Sequence, residues 1–371
     1  MNVQYSTYLN TNNGNRIGYI DSAKGVAIIC VLLIHSVTFT TLNKFDFEQI
    51  IATIFRQIID FPVGVFFGIA GFLVGKAALG GKPFPVLRRI GDLLLPYVIA
   101  TVVFITIRHH AMVLNVPFVL GQLATGRGID IGYFVIVMLQ MTLLTPVILG
   151  IGSTRAHIAI MASLSIAGIA YSYSMKFLGV APLDQFPWSA LPFFVWYPFY
   201  HLGLFLGMRP QVVASLASPR LFVVAGLALA ASIAEAFVLR YGFGLQLFAS
   251  QIKATSIAYT IALLLIVISG EFVISGLAAA LLETLGASSY FIYLYHLLLL
   301  PRIGRHVAAV VGEPTLAALI STAITLSVFL VVIYLANRLV PARLCRRVFG
   351  IGALSAPTPA TPALEPRQGT R

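Results

Sequence analysis

Residues 24–42 read KGVAIICVLLIHSVTFTTL, a lysine followed by an almost unbroken apolar run that contains one histidine, His35. Across the 371 residues, 10% are charged and 59% are hydrophobic, and the mean hydropathy is +0.94. In a soluble domain roughly a quarter of the residues are charged, and a helix of about 20 apolar residues crosses a bilayer. The composition therefore excludes a water-soluble globule and predicts an all-α integral membrane protein.

The whole chain contains ten apolar segments of this kind. They cover about residues 26–42, 54–75, 91–107, 131–151, 157–174, 188–208, 221–239, 254–270, 288–301 and 315–336. Ten transmembrane helices put both termini on one side. Fifteen of the 24 Lys and Arg residues fall on the side of the termini. The other nine, which include Arg56 and Lys253, fall on the opposite side. Because cations accumulate in cytoplasmic loops, we expect both termini in the cytoplasm.

Three regions follow from this pattern. Residues 1–20 are a polar N-terminus, residues 21–336 form the membrane domain, and residues 337–371 are a basic, then Pro/Ala/Thr-rich tail of the composition typical of disorder. The segment Glu271–Ala287 is shorter and more amphipathic than its neighbours, and we expect it to be an interfacial helix.

The net charge of +12 would indicate a nucleic-acid binder in a polar chain. Here the apolar content makes the lipid bilayer the expected anionic partner, with no nucleic acid. The two cysteines, Cys30 and Cys345, provide no disulfide framework and no thiolate metal site. We expect no metal and no bound cofactor.

Lys24 and His35 lie eleven residues apart in the first span. At 100° per residue they share one helix face, about 16 Å apart along the axis. A histidine inside a membrane helix is costly, which makes His35 a functional candidate. The alternative is a hydrogen bond between His35 and a neighbouring helix that only supports packing.

Two further groups carry polar chemistry. Tyr290, Tyr293 and His296 recur at three-residue steps on one helix face, as in a binding site or in an aromatic belt at the membrane interface. His201 lies beside Tyr197 and Tyr200, for which interfacial anchoring is the better interpretation. Four cations follow the second span, where they either anchor the protein to anionic lipid or bind the phosphates of a soluble donor. They are Lys76, Lys82, Arg88 and Arg89.

Several short motifs occur together in a fixed order. They are Arg16-Ile-Gly-Tyr-Ile-Asp21-Ser-Ala-Lys24-Gly25 followed by His35, Phe66-Phe67-Gly68-Ile69-Ala70-Gly71-Phe72, Arg88-Arg89 ahead of Leu95-Pro96-Tyr97, His201-Leu-Gly203-Leu-Phe-Leu-Gly207, and Ser289-Tyr290 through Tyr293 to His296. This series resembles the membrane acyltransferase-3 family, in particular its fucose 4-O-acetylase-like and nodulation-type sugar acetylases. The family's Arg-x-x-Arg would place a second arginine at position 92, which is Asp92 here, and the serine of its second-helix motif is Ala70.

The resemblance implies a ten-helix enzyme of the bacterial inner membrane. Such an enzyme moves an acetyl group from acetyl-CoA, as co-substrate, to a hydroxyl of a cell-surface or exported carbohydrate or glycolipid. By this resemblance His35 is catalytic, either as a general base or as a nucleophile that forms an acyl intermediate. Lys24, Arg88 and Arg89 would bind the donor.

Tyr290, Tyr293 and His296 would contact the acceptor or the developing oxyanion. A function of another class, a proton-coupled transporter that uses His35, also fits a buried histidine and proline-interrupted helices.

Overall fold

The computed structural model describes residues 17–40, 47–81, 83–272 and 274–354. All regular secondary structure in these ranges is helical. The α-helices of seven or more residues are, in chain order, α1 (Gly18–Thr40), α2 (Phe47–Ile58), α3 (Pro62–Ala78), α4 (Val86–His109), α5 (Val116–Thr125), α6 (Tyr133–Leu149), α7 (Thr154–Leu178), α8 (Phe193–Gly207), α9 (Pro210–Leu216), α10 (Arg220–Phe237), α11 (Ala254–Ile268), α12 (Gly276–Ala287), α13 (Ser289–Val311) and α14 (Pro314–Leu339).

Each of the ten predicted apolar segments overlaps one or more of these helices. Within the described ranges, seven helical segments are long and apolar enough to cross a membrane. Helices α12 and α13 meet at a 79° bend and make an eighth candidate if they form one broken span. Helices α6 and α8 have 17 and 15 residues, fewer than the roughly 20 that a straight span needs. The protein is a multi-pass, all-helical membrane protein.

Helix α1 lies in the middle of the bundle, in contact with α3, α12, α13 and α14. Its contact with α12 is backbone to backbone: a Cβ atom at Gly286 would lie 1.8 Å from the carbonyl oxygen of Asp21. Only glycine permits this approach. The contact fixes the first half of α1, including Lys24, relative to α12.

The expected interfacial segment Glu271–Ala287 is only partly helical. Helix α12 begins at Gly276, and Glu271 precedes it. The helix packs along the first half of α1 and then turns sharply into α13. An orientation in the membrane interface stays a prediction.

Helices α3 and α8 form a second close pair. A Cβ atom at Gly71 would lie 2.0 Å from the carbonyl oxygen of Tyr200, which explains the glycines of the second apolar segment. The side chain of His201 is fully buried, and its Nε2 lies 2.7 Å from Nδ1 of His157 on α7. The expectation that His201 anchors the protein at the membrane interface is therefore wrong, because it binds another helix inside the bundle.

Candidate active site

Lys24 lines a cavity of about 340 Å³ between α1, α3, α4, α6 and α13. We call it the Lys24 cavity. Its polar wall also contains Arg89, Asp92, Tyr290 and Tyr293. The remainder of the wall is largely apolar and aromatic, formed by Phe66, Ile69, Leu73, Phe134, Met138 and others. The structure thus brings together four of the site residues that the sequence singled out, from three separate helices.

The Nζ atom of Lys24 lies 2.6 Å from Oδ1 of Asp21, one helical turn earlier. This ion pair holds a partly buried ammonium group at the cavity wall, because a charge away from bulk water is stable only with a partner. The ammonium group of Lys24 therefore lies where an anionic ligand in the cavity would meet it.

Arg88 and Arg89 differ in position. Arg89 lines the cavity, whereas the side chain of Arg88 is 74% exposed and lies 4.0 Å from Asp92. Adjacent residues on a helix point about 100° apart, and here Arg89 faces the cavity and Arg88 faces the surface. Arg88 is not part of the cavity wall.

His35 lines a second, smaller cavity of about 250 Å³, which we call the His35 cavity. Its other polar residues are Arg56, Tyr133, Gln251 and Tyr293. Tyr293 therefore belongs to both cavities and forms the wall between them. Because α1 carries Lys24 on one side of this wall and His35 on the other, the two cavities follow one face of the helix.

Two of the three tyrosines of α13, Tyr290 and Tyr293, are held by backbone carbonyls. The Tyr290 hydroxyl donates to the carbonyl oxygen of Leu93 at 2.6 Å, and the Tyr293 hydroxyl donates to that of Ile131. A phenol has a single proton to donate. In this conformation neither hydroxyl can also donate to an oxyanion, so the predicted oxyanion role would require one of these bonds to break.

His296 packs directly against His35, with ring centroids 5.2 Å apart. Nδ1 of His296 lies 3.1 Å from the carbonyl oxygen of Ile292 and 2.9 Å from that of Tyr293. Carbonyl oxygens only accept, so Nδ1 carries the proton and Nε2 has the lone pair. Nε2 is buried and has no hydrogen-bond partner in the part of the chain that the structure describes.

His35 itself makes no hydrogen bond with a described residue, and it is less enclosed than His296. Its ring nitrogens are therefore available to a molecule in the cavity. This geometry does not favour the alternative in which His35 merely ties two helices together through a hydrogen bond.

A buried ionic cluster that was not predicted from the sequence lies next to the His35 cavity. Arg56 Nη2 lies 3.1 Å from Oδ1 of Asp60, which is completely buried. Lys253 is also completely buried, and its Nζ donates to Oγ of Ser232 at 2.5 Å and to Oγ of Ser256. The count of cations on each side of the membrane placed Arg56 and Lys253 in solvated loops. This placement is wrong, because Lys253 is completely buried and Arg56 is largely buried.

A signal for this cluster was present in the sequence. Arg56 and Asp60 are spaced i,i+4 at the start of an apolar segment, just before Pro62. Ionisable residues within a membrane segment are rare, and they pair with one another or mark a site.

A family model described as an acyltransferase domain matches residues 17–336, nearly the whole described chain. No curated protein and no solved structure gives a significant match. The matched range contains the helices that line both cavities. The chain belongs to the acyltransferase-3 family and is a membrane acyltransferase.

Proposed function

We propose that the protein transfers an acetyl group from acetyl-CoA to a hydroxyl of a cell-surface or exported carbohydrate or glycolipid. The observation that carries the proposal is the shared wall at Tyr293, with cations on one side and His35 on the other. A donor with an anionic head at one end and a reactive thioester at the other would meet the cations with its head and His35 with its thioester.

The phosphates of CoA would bind near Lys24 and Arg89, with Arg88 adding charge at the entrance. Guanidinium groups match the geometry of phosphate oxygens and can bind two of them at once. The pantetheine arm would then lie along the apolar wall of the Lys24 cavity, which brings the thioester towards Tyr293 and His35. Movement of the Tyr293 side chain would join the two cavities.

In the transfer, the acceptor oxygen attacks the carbonyl carbon of the thioester and the C–S bond breaks. Nε2 or Nδ1 of His35 takes the proton of the attacking hydroxyl and returns it to the CoA thiolate. Imidazole suits this role because its ordinary pKa of about 6.5 leaves it largely neutral at physiological pH. General-base catalysis contributes roughly 10²- to 10⁴-fold in rate.

The competing route forms an acetyl-His35 intermediate first and passes the acetyl group to the acceptor afterwards. Rapid denaturation at neutral pH during turnover distinguishes the routes, because an acyl-imidazole hydrolyses quickly in acid. Label from acetyl-CoA stays on the protein only if the intermediate forms, and it must be absent from His35→Ala.

We further propose ten transmembrane helices in a bacterial inner membrane, with both termini in the cytoplasm. In this arrangement residues 1–20 and 337–371 flank a membrane domain of residues 21–336. Reporter fusions at each terminus test the topology, since two cytoplasmic termini give the same signal and an odd number of spans gives opposite signals.

The decisive experiment uses the purified full-length protein and acetyl-CoA that carries a labelled acetyl group. We expect slow thioester hydrolysis without an acceptor, and loss of this activity in His35→Ala. Mass spectrometry of the cell's glycans and glycolipids, with and without the protein, then identifies the product as the component that loses an acetyl group. Solute flux without thioester cleavage would instead indicate a transporter and overturn the proposal.

A further inference from the structure

The His35 cavity contains four polar side chains that have unused hydrogen-bonding capacity. Besides His35, these are Arg56, Tyr133 and Gln251. They come from α1, α2, the start of α6 and the loop before α11.

Two of these groups are fixed at one end and unbonded at the other. Oε1 of Gln251 accepts from the backbone N–H of Val63 at 3.0 Å, which leaves the two N–H groups of Nε2 without a partner among the described residues. Nη2 of Arg56 donates to the carbonyl oxygen of Ala249 at 2.7 Å and pairs with Asp60. Its Nη1 makes no hydrogen bond to any residue in the described ranges.

Tyr133 adds a hydroxyl and an aromatic face. Its ring packs edge to face on Phe186, with centroids 5.2 Å apart, and Phe186 also lines the cavity. The Tyr133 hydroxyl has no hydrogen-bond partner within residues 17–354, the three short undescribed gaps apart. Polar groups that leave water are stable only when they form hydrogen bonds. A ligand with several hydroxyls would provide the hydrogen-bond partners that these groups lack.

The charge around the cavity balances locally. Asp60 lies against the guanidinium of Arg56, and the buried Lys253 lies near both Asp60 and Glu235. Among the described residues, the guanidinium of Arg56 and the ammonium of Lys253 are thus each matched by a nearby carboxylate. A ligand that is neutral and rich in hydroxyls fits this balance.

We propose that the His35 cavity is the acceptor site and that it takes one uncharged sugar ring. Arg56, Tyr133 and Gln251 bind its hydroxyls, and Asp60 is a positioning residue that holds Arg56. The cavity volume of about 250 Å³ is below the roughly 300–1,000 Å³ of pockets that enclose drug-sized ligands. A single ring therefore enters, with one hydroxyl directed at His35. This inference rests on the proposed transfer of the acetyl group to a carbohydrate.

The first test measures binding without catalysis. Purified full-length protein, without a donor, is mixed with methyl glucoside, methyl fucoside or methyl glucuronide and studied by saturation-transfer NMR. We expect the two neutral glycosides to bind and the glucuronide to bind at least about 10-fold more weakly. Absence of binding by all three, or preference for the glucuronide, overturns the proposal whether or not the protein is an acyltransferase.

The second test uses substitutions that preserve the fold. Tyr133→Phe removes a hydroxyl that has no protein partner, and Gln251→Glu keeps the oxygen that accepts from Val63. Loss of one neutral hydrogen bond in Tyr133→Phe should raise the acceptor KM roughly 2- to 10-fold. Gln251→Glu removes both amide donors and adds a negative charge, so it should raise the acceptor KM at least as much, and the KM for acetyl-CoA should be unchanged in both variants. Tyr197→Phe is the matched control, because Tyr197 lines neither cavity.

The same variants separate this proposal from the function on which it rests. Hydrolysis of acetyl-CoA in the absence of an acceptor depends on His35 and should be unchanged in the control Tyr197→Phe, because Tyr197 lines neither cavity. If wild-type protein neither hydrolyses nor transfers the acetyl group, the proposed function fails. If transfer proceeds but Tyr133→Phe and Gln251→Glu have the acceptor KM of the control, the acceptor site lies elsewhere.

Discussion

The imidazole rings of His35 on α1 and His296 on α13 lie with their centroids 5.2 Å apart and their planes tilted by 45°. The two histidines are not equivalent. His296 is completely buried and is fixed by two backbone carbonyls, whereas His35 faces a cavity and has no hydrogen-bond partner among the described residues. We infer that His35 reacts with the substrate and that His296 sets the position of its ring.

His35→Ala should lower the rate of acetyl transfer by at least about 10²-fold, the lower end of what a general base contributes. The protein should still insert and fold, since His35 makes no hydrogen bond to another described residue. Initial rates with labelled acetyl-CoA check the first point, and detergent-phase gel filtration checks the second. Full activity in a correctly folded His35→Ala protein would contradict the assignment of His35.

His296→Ala should lower kcat by roughly 10-fold and leave the KM for acetyl-CoA unchanged, because its ring contacts His35 and not the Lys24 cavity. His296→Gln keeps groups that can donate and accept hydrogen bonds at this position and should restore part of kcat. The measurement is a full titration with acetyl-CoA for each variant. A change in KM alone, or equal loss in both variants, would argue against a positioning role.

The relation between Lys24 and His35 could be predicted from the sequence because it depends on helix periodicity alone. Eleven residues of one uninterrupted helix fix the angle between two side chains. The ten apolar segments were equally visible, because hydropathy does not depend on how helices pack. Both features are local.

The His35 cavity could not be predicted in the same way. Gln251 contacts Val63 from 188 positions away, and Tyr293, which lines both cavities, bonds to Ile131 from 162 positions away. No periodicity within one segment encodes such long-range contacts. The burial of Arg56 and Lys253 was missed for the same reason, since each stands at the end of an apolar segment, where a solvated loop is the usual position.

Gly71→Ala should destabilise the protein. The new Cβ would lie 2.0 Å from the backbone of α8, a fixed atom that cannot rotate away. Helices α3 and α8 must then separate, and overpacking of this kind costs about 1–3 kcal/mol or more. Gly226→Ala on α10 is the matched control, because nothing described lies within 4 Å of the added atom. Thermal unfolding in detergent should show a lower Tm for the first variant only, and equal shifts would exclude the packing explanation.

Glu313, at the start of α14, should make the stability of the protein depend on pH. Its carboxylate accepts from the backbone N–H of Thr315 at 2.9 Å and from that of Leu316, and these bonds hold the pKa of Glu313 below its ordinary value of 4.5. A lowered pKa in the folded state means that the stabilisation is complete above pH 4.5 and is lost as the pH falls through the folded value.

Glu313→Ala should therefore cost about 0.5–1 kcal/mol at pH 7, the lower end for a helix cap, because the side chain is exposed. The difference from wild type should shrink at pH 3. Glu313→Gln keeps an accepting oxygen without a charge, so its Tm should fall less at pH 7. A difference between Glu313→Ala and wild type that is the same at both pH values would show that the charged cap contributes nothing.

Arg89 and Arg88 provide a matched pair for the donor site, since they are adjacent, identical in type and different in orientation. Arg89 lines the Lys24 cavity, and Arg88 is largely exposed. Hydrogen bonds to charged groups contribute about 1.5–3 kcal/mol, so Arg89→Ala should raise the KM for acetyl-CoA by about 10-fold or more.

Arg88→Ala should change the same KM by less than about 3-fold, because an exposed charge is screened by solvent and salt. The acceptor KM should stay unchanged in both variants, since neither arginine lines the His35 cavity. Lys24→Ala should resemble Arg89→Ala, because Lys24 shares the cavity wall with it. Equal effects of Arg88→Ala and Arg89→Ala would mean that the two cations act through the surface potential of the loop, and the docking of donor phosphates in the Lys24 cavity would then be wrong.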